Sequence, residues 1–228
     1  MSQIRTPLLV VAGAALAAAA FAGAPSGRRI EWSTKSASAK QLLAELQARI
    51  ENFQGGPGSL ELAKKIEAAD PSFAMGIYYL SVVTPDQEEA LKLYERSREL
   101  ARSASEPERR FIEAMVHTRL NQGVDFRKSI EPLEALARDY PGERLFHMIL
   151  GQLYNGDGRG DKARAAFERA VAIGPRSARA EAFIAGDALL KDRYADARAA
   201  YESIEKSLPR GAVPFAIRFG VTFSHLYE

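Results

Sequence analysis

The chain has 228 residues, 46% of them hydrophobic and 26% charged, with 31 Lys and Arg against 29 Asp and Glu. That balance belongs to a folded domain or a short repeat array, and the near cancellation of charge excludes the one-sided basic field that a nucleic-acid partner rewards. The chain contains no cysteine, which removes disulfides, thiolate metal sites, cysteine nucleophiles and a lipidated-cysteine anchor and leaves packing alone to stabilise the fold.

Arg5 precedes an uncharged run, residues 6–24, rich in Leu, Val, Ala and Gly; residues 1–24 therefore read as a targeting segment outside the fold. Ala20-Phe21-Ala22 and Ala22-Gly23-Ala24 both offer small residues at the positions a signal peptidase inspects, and Pro25 directly after the second favours the first. Cleavage predicts a periplasmic or secreted chain, almost neutral because loss of Arg5 leaves 30 basic against 29 acidic residues. The alternative is an uncut membrane anchor, since about 18 apolar residues just cross a bilayer and Arg28 and Arg29 follow closely. The membrane is a partner only through that segment. Residues 25–35 read as a linker.

Helical apolar spacing then covers residues 38–53 and 59–69 on either side of Gly-Gly-Pro-Gly, and Pro71 closes the unit. The helix FAMGIYYLSVV ends at Thr-Pro-Asp-Gln, where Thr84 is placed to cap the next helix, Pro85 to take its first position and Gln87 to return to the cap amide. A long helix follows from Glu88, and Ser105 with Glu108 forms a second capping-box pattern around Pro107. Residues 107–121 and 125–139 make a further pair, and residues 214–227 a last helix.

Pro107, Pro141, Pro175 and Pro209 are each 34 residues apart, and Ala163 with Ala197 and Phe167 with Tyr201 keep the same period. Small residues at Gly151, Ala163, Ala185 and Ala197 would let paired helices approach, with Tyr154, Phe167 and Tyr201 filling the space between pairs. A proline after the second helix forces the chain out of it.

The stretch RLFHMILGQLYNGDGRGDKARAAFERAVAIGPRS, residues 144–177, resembles the tetratricopeptide repeat family through Leu150, Gly151, Tyr154, Ala163, Phe167, Ala170 and Pro175, with His147 at the tryptophan-type position. The next unit keeps Ala185, Ala197, Tyr201 and Pro209 but has Ala188 where the pattern has an aromatic. From Ser33 onward the layout is similar to that of exported bacterial members of the family. The resemblance implies an all-α fold, a right-handed α-solenoid of about five antiparallel helix pairs plus a C-terminal single helix. The units are then about 36–71, 72–106, 107–141, 142–175 and 176–209, and the last helix 212–228, in one repeat domain, 36–228.

No HExxH, GxSxG, Walker or GxGxxG pattern occurs, and His117, His147 and His225 lie far apart on helix faces. Asn-Gly-Asp-Gly-Arg-Gly-Asp, residues 155–161, puts Arg159 where a calcium loop needs a ligand and lacks the closing glutamate. It also lacks the lysine and hydroxyl of a phosphate loop, and reads as an interhelical turn with Asp161 at the positive start of the next helix. No catalytic residue, cofactor or metal ligand is expected; an enzyme hidden in the degenerate first half is the least favoured alternative.

The resemblance further implies that the first helix of each pair lines the concave side, with its second, fifth, ninth and twelfth positions contacting ligands. These map to Met75, Tyr78 and Val82; to Phe111, Ala114 and Thr118; to Leu145, Met148, Gln152 and Asn155; and to Arg179 and Ala182. Asn121 and Asn155 also fit left-handed helix-ending residues. A two-carboxylate clamp needs Lys and Asn at several of these positions, and the chain supplies only Arg179 and Asn155, so an acidic C-terminal peptide is not the expected ligand. The expectation is a scaffold or adaptor that binds an unidentified protein or peptide in this apolar groove. The alternative is a homo-oligomer formed through the last helix, FAIRFGVTFSHLY, which is apolar on nearly every side.

Overall fold

A helix buries its apolar stripe only against another element, so a chain that is cut into amphipathic helices by Gly, Pro and caps must stack them. The computed structural model describes residues 27–119, 125–174, 176–209, 211 and 213–226. The leader, Asn121 and Pro175 lie outside the described residues. The helices are α1 (Ala37–Glu51), α2 (Pro57–Ala69), α3 (Ala74–Val83), α4 (Gln87–Ala101), α5 (Glu106–Ala114) with its short continuation α6 (Val116–Arg119), α7 (Phe126–Asp139), α8 (Arg144–Gly156), α9 (Gly160–Ile173), α10 (Ala178–Leu190), α11 (Tyr194–Ser207) and α12 (Phe215–Leu226). No strand occurs among the described residues. The expected all-α solenoid forms: α1 pairs with α2, α3 with α4, α5 with α7, α8 with α9 and α10 with α11, each pair stacks on the next, and α12 stands last against α11.

Close backbone approach sets the stacking. A methyl group on Gly151 would lie 2.7 Å from the Phe167 ring, and one on Gly220 would lie 2.5 Å from the Tyr201 ring. Ala163, Ala185 and Ala197 are buried at the other expected close contacts. The Phe167 ring continues to Phe183 of the following pair, with centroids 4.8 Å apart. Every residue of α3 from Ala74 to Ser81 is buried, which is why that helix is apolar all round.

Two expected caps are corrected. Asp86, not Thr84, caps α4 by accepting from the Glu89 amide at 2.8 Å; the Thr84 hydroxyl donates back to the Leu80 carbonyl at 2.8 Å and closes α3 instead. Ser105 makes no side-chain cap bond in α5. Glu108 reaches to the preceding pair and accepts from the Met75 amide at 3.2 Å, serving the open start of α3, whose own cap residue Phe73 offers no acceptor. The proline period is also not structurally uniform: Pro107 sits in the first turn of α5, whereas Pro141 and Pro209 lie beyond the ends of α7 and α11.

The segment read as a linker is bound along the rim. The Arg28 carbonyl accepts from the Gly142 amide at 3.1 Å, Arg29 Nε donates to the Gly142 carbonyl at 3.1 Å, and the Ile30 amide donates to Glu143 at 3.3 Å. The Ser33 amide and hydroxyl donate to Glu108 at 3.0 and 2.7 Å, and the Thr34 hydroxyl donates to Asp70 at 2.5 Å. Trp32 packs edge-on against Phe73, with centroids 6.4 Å apart. Residues 27–36 thus form a strap that crosses the starts of α8, α5 and α3 in turn before Ser36 caps α1.

Glu108 is 0% exposed, so Glu108→Ala leaves the buried Met75 amide without its acceptor, at about 1–3 kcal/mol, and releases Ser33 to solvent. The expected result is a lower urea midpoint together with a red shift of Trp32, the one tryptophan, at urea concentrations where helical circular dichroism is still intact. Glu108→Gln, which keeps an acceptor, should fall between the two.

Candidate binding groove

The far end of α1 meets α3 through Gln47 and Tyr79, α8 through Glu51 and Arg144, and α10 through Ile50 and Arg179. Three clefts surround that end. One, of about 400 Å³, lies between the strap, α1 and the start of α8, with Ile30, Trp32, Glu51, Asn52 and Arg144 among its walls. A central one of about 120 Å³ is walled by Gln47, Ile50, Glu51, Tyr78, Tyr79, Val82, Met115, Leu145, Met148, Ile149 and Gln152. A third, of about 660 Å³, is bounded by Ile50, Phe53, Val82, Arg179 and Val213.

Five of the twelve expected contact residues therefore meet in one place: Tyr78, Val82, Leu145, Met148 and Gln152. Arg179 lines the third cleft with Val82. Met75, Phe111 and Ala114 line none of the three, and Thr118 lies instead beside Tyr94 and Gln87. Asn155 and Ala182 are also outside them. As an open apolar floor the expectation is corrected by burial: Met75 and Phe111 are 0% and Met148 1% exposed, and Tyr78, Ala114 and Leu145 are buried as well. Consecutive inner helices are too close to leave these side chains free. The Tyr78 ring meets Phe111 edge-on, with centroids 5.3 Å apart, and Phe111 meets Phe146 at 5.9 Å. Asn155 is helical, and the left-handed residue of that turn is Gly158 with φ 75°.

The groove residues that sequence patterns missed come from α1, because nothing local marks Gln47, Ile50 and Glu51 as facing helices a hundred residues later. Glu51 pairs with Arg144, both side chains being largely buried. Asn52 Oδ1 accepts from the Ala178 amide at 3.1 Å. Arg179 donates to the Ile50 carbonyl at 3.3 Å and lies over the Phe53 ring, 4.9 Å from its centroid. Gln47 donates to the Tyr79 hydroxyl at 3.1 Å, and burial pushes that phenol far above its ordinary range.

Burial raises the Glu51 carboxyl above its ordinary value of 4.5, and the Arg144 guanidinium only partly offsets it. Glu143, which accepts from the Ile30 and Leu145 amides, is raised by burial as well. Burial also lowers His147, beside the Pro141 carbonyl. Among the described residues no three His, Asp or Glu side chains converge as a metal ion would require, and no helix is long and apolar enough to cross a membrane.

No protein-family model matches the chain, and no curated protein does. Among solved structures, TTC0263, a thermophilic tetratricopeptide repeat protein of Thermus thermophilus, is similar at a TM-score of 0.54 and 18% identity over 82% of this chain and 97% of that one. The Cut9–Hcn1 hetero-tetramer of the APC/C is similar at a TM-score of 0.51 and 14% identity over 83% of this chain and 36% of that one. MamA of Desulfovibrio magneticus matches at a TM-score of only 0.41 and 16% identity, over 76% of this chain and 96% of that one, and carries no argument. The likeness to the first two establishes a tetratricopeptide-type fold.

A carboxylate whose pKa is raised on folding contributes stability that is fully present below its unfolded value and is lost as pH rises through the folded value. For Glu51 and Glu143 that window opens at 4.5. Glu51→Gln with Glu143→Gln should therefore remove a falling contribution, so that the urea midpoint of the variant relative to that of the native chain rises as pH increases above 4.5.

Proposed function

We propose that this chain is a non-catalytic scaffold of the bacterial envelope that holds a protein or peptide partner in its concave groove, without a cofactor. The observation that carries this is the central cleft, where Tyr78, Val82, Leu145, Met148 and Gln152 from two inner helices meet the end of α1. A tetratricopeptide-type fold supports it, since stacked helix pairs present an extended inner surface that suits polypeptides. The leader pattern of residues 1–24 supports a place outside the cytoplasm, reached by cleavage or by anchorage.

Charge at Met148 would test folding rather than binding because that side chain is buried. Val82 is half-buried and Gln152 exposed, so Val82→Asp with Gln152→Asp is the informative variant. Affinity capture from an envelope extract should lose the partners that the native bait retains, with the variant's circular dichroism unchanged. Identical captured sets would remove the groove from consideration.

A second function is favoured by α12. Phe215 and Phe219 are 81% and 53% exposed, and the rings of Phe215, Phe219 and Phe223 run in series with centroids 6.0 and 5.5 Å apart. Such a ladder at the end of a repeat array suits self-association. Deleting α12 would uncover Tyr201, because Gly220 of α12 packs against its ring and Ile217 of the same helix is buried. Phe215→Ser with Phe219→Ser keeps that packing: light scattering should report a smaller mass than for the native chain, and an unchanged monomer mass rejects self-association.

A further inference from the structure

The last turn of α1 is unusual in its backbone as well as its contacts. The helix ends in a Schellman pattern, with the Gln54 amide donating to the Arg49 carbonyl at 2.8 Å and the Phe53 amide to the Ile50 carbonyl at 3.3 Å. The position in the left-handed conformation is Phe53, with φ 57°, where glycine is ordinarily favoured, although Gly55 and Gly56 follow immediately. A bulky residue persists in that conformation only where its surroundings hold it. Here they do so across the groove: the ring lies beneath Arg179 and packs against the separate core that α10, α11 and α12 form.

The contact is polar and imperfectly satisfied. Arg144 Nη2 and Arg179 Nε are both buried without a hydrogen-bond partner, and both arginines face this one helical turn. Besides Phe53, the turn is held by the Glu51–Arg144 pair, a Ser177 hydrogen bond to Glu51, the Asn52 bond and the Arg179 bond. The other face of α1 is anchored independently, through the buried Ala39, Leu43 and Leu46. The same turn is also the partition between the clefts: Glu51 walls the first and second, and Ile50 the second and third.

We propose that residues 50–53 are a latch occupying the groove, and that the partner segment that displaces it is an amphipathic helix bearing a carboxylate for Arg144 and an apolar or aromatic residue for Arg179. This rests on the scaffold function above and names the chemistry of its partner. The occupant is inferred from the helix end already seated there, since a ligand that merges the three clefts must satisfy the same two guanidinium groups that Glu51 and Phe53 now face. Because the latch is tethered, it competes at high effective concentration, so a partner binds the closed chain more weakly than the open one.

The test uses the full chain carrying Asn52→Ala and Phe53→Gly. Glycine accepts the left-handed backbone without strain, so this variant removes the Asn52 and Phe53 contacts across the groove, leaves the Glu51 pair and the Arg179 bond, and keeps the turn. Hydrogen exchange should accelerate roughly ten-fold or more at residues 47–53 with residues 39–46 unchanged. A labelled synthetic peptide of residues 37–53 should bind the variant roughly ten-fold or more tighter than it binds the native chain, and the same peptide carrying Glu51→Lys should lose that advantage. Unchanged exchange, equal binding to the two chains, indifference to the Glu51 charge, or no binding at all each overturns the proposal. The scaffold function survives such an outcome if native bait still captures proteins that the Val82 and Gln152 variant loses.

Discussion

Close approach between helix backbones is the constraint on which the rest of the structure depends. Where Gly151 faces Phe167 and Gly220 faces Tyr201, there is no room for a methyl group, and a buried alanine serves at Ala163, Ala185 and Ala197. A small residue against a ring lets dispersion and apolar burial act over a flat contact without a void, and the same contact recurs from pair to pair. Stacking therefore propagates along the chain.

The same tightness shapes the inner side. Inner helices that touch through Tyr78, Phe111 and Phe146 consume the aromatic surface that an open superhelix would present. The array curves far enough for the end of α1 to meet α10, and Asn52 bonds an amide 126 residues away in sequence. What remains is a set of clefts whose walls mix apolar side chains with Glu51, Gln152, Arg144 and Arg179. The energetics of that groove differ from those of the stacked faces. Stacked faces gain from buried apolar area, whereas the groove contacts exchange water hydrogen bonds for protein ones at modest net gain and leave two arginine N–H groups unmatched. The strap is likewise held by polar contacts, and its Ser33 is tied to the wholly buried Glu108.

Helix identities were legible from local patterns: Gly-Gly-Pro-Gly between α1 and α2, Asp125 before α7 and the period linking Ala163 to Ala197 all mark local structure. Caps were less so. Thr84 and Asp86 are both competent acceptors two residues apart, and which one caps depends on where α3 stops. Glu108 had the spacing of a box for its own helix, yet it serves α3, because only stacking brings the Met75 amide within reach.

By itself the sequence determined the helical class, the order and approximate ends of the helices and the repeat, since each follows from side chains within a few turns of one another. It also marked Tyr78, Val82, Leu145, Met148 and Gln152 as inner-face residues through the family resemblance, and the tertiary structure brought them to one cleft. Tertiary structure alone decided that Met75 and Phe111 are packing residues, that residues 27–36 are a strap and not a free linker, and that the end of α1 meets α8 and α10. Those outcomes depend on curvature summed over several pairs, which brings Ser33 to Glu108, Ile30 to Glu143 and Ile50 to Arg179 across separations of 75, 113 and 129 residues, and no local period encodes such a sum.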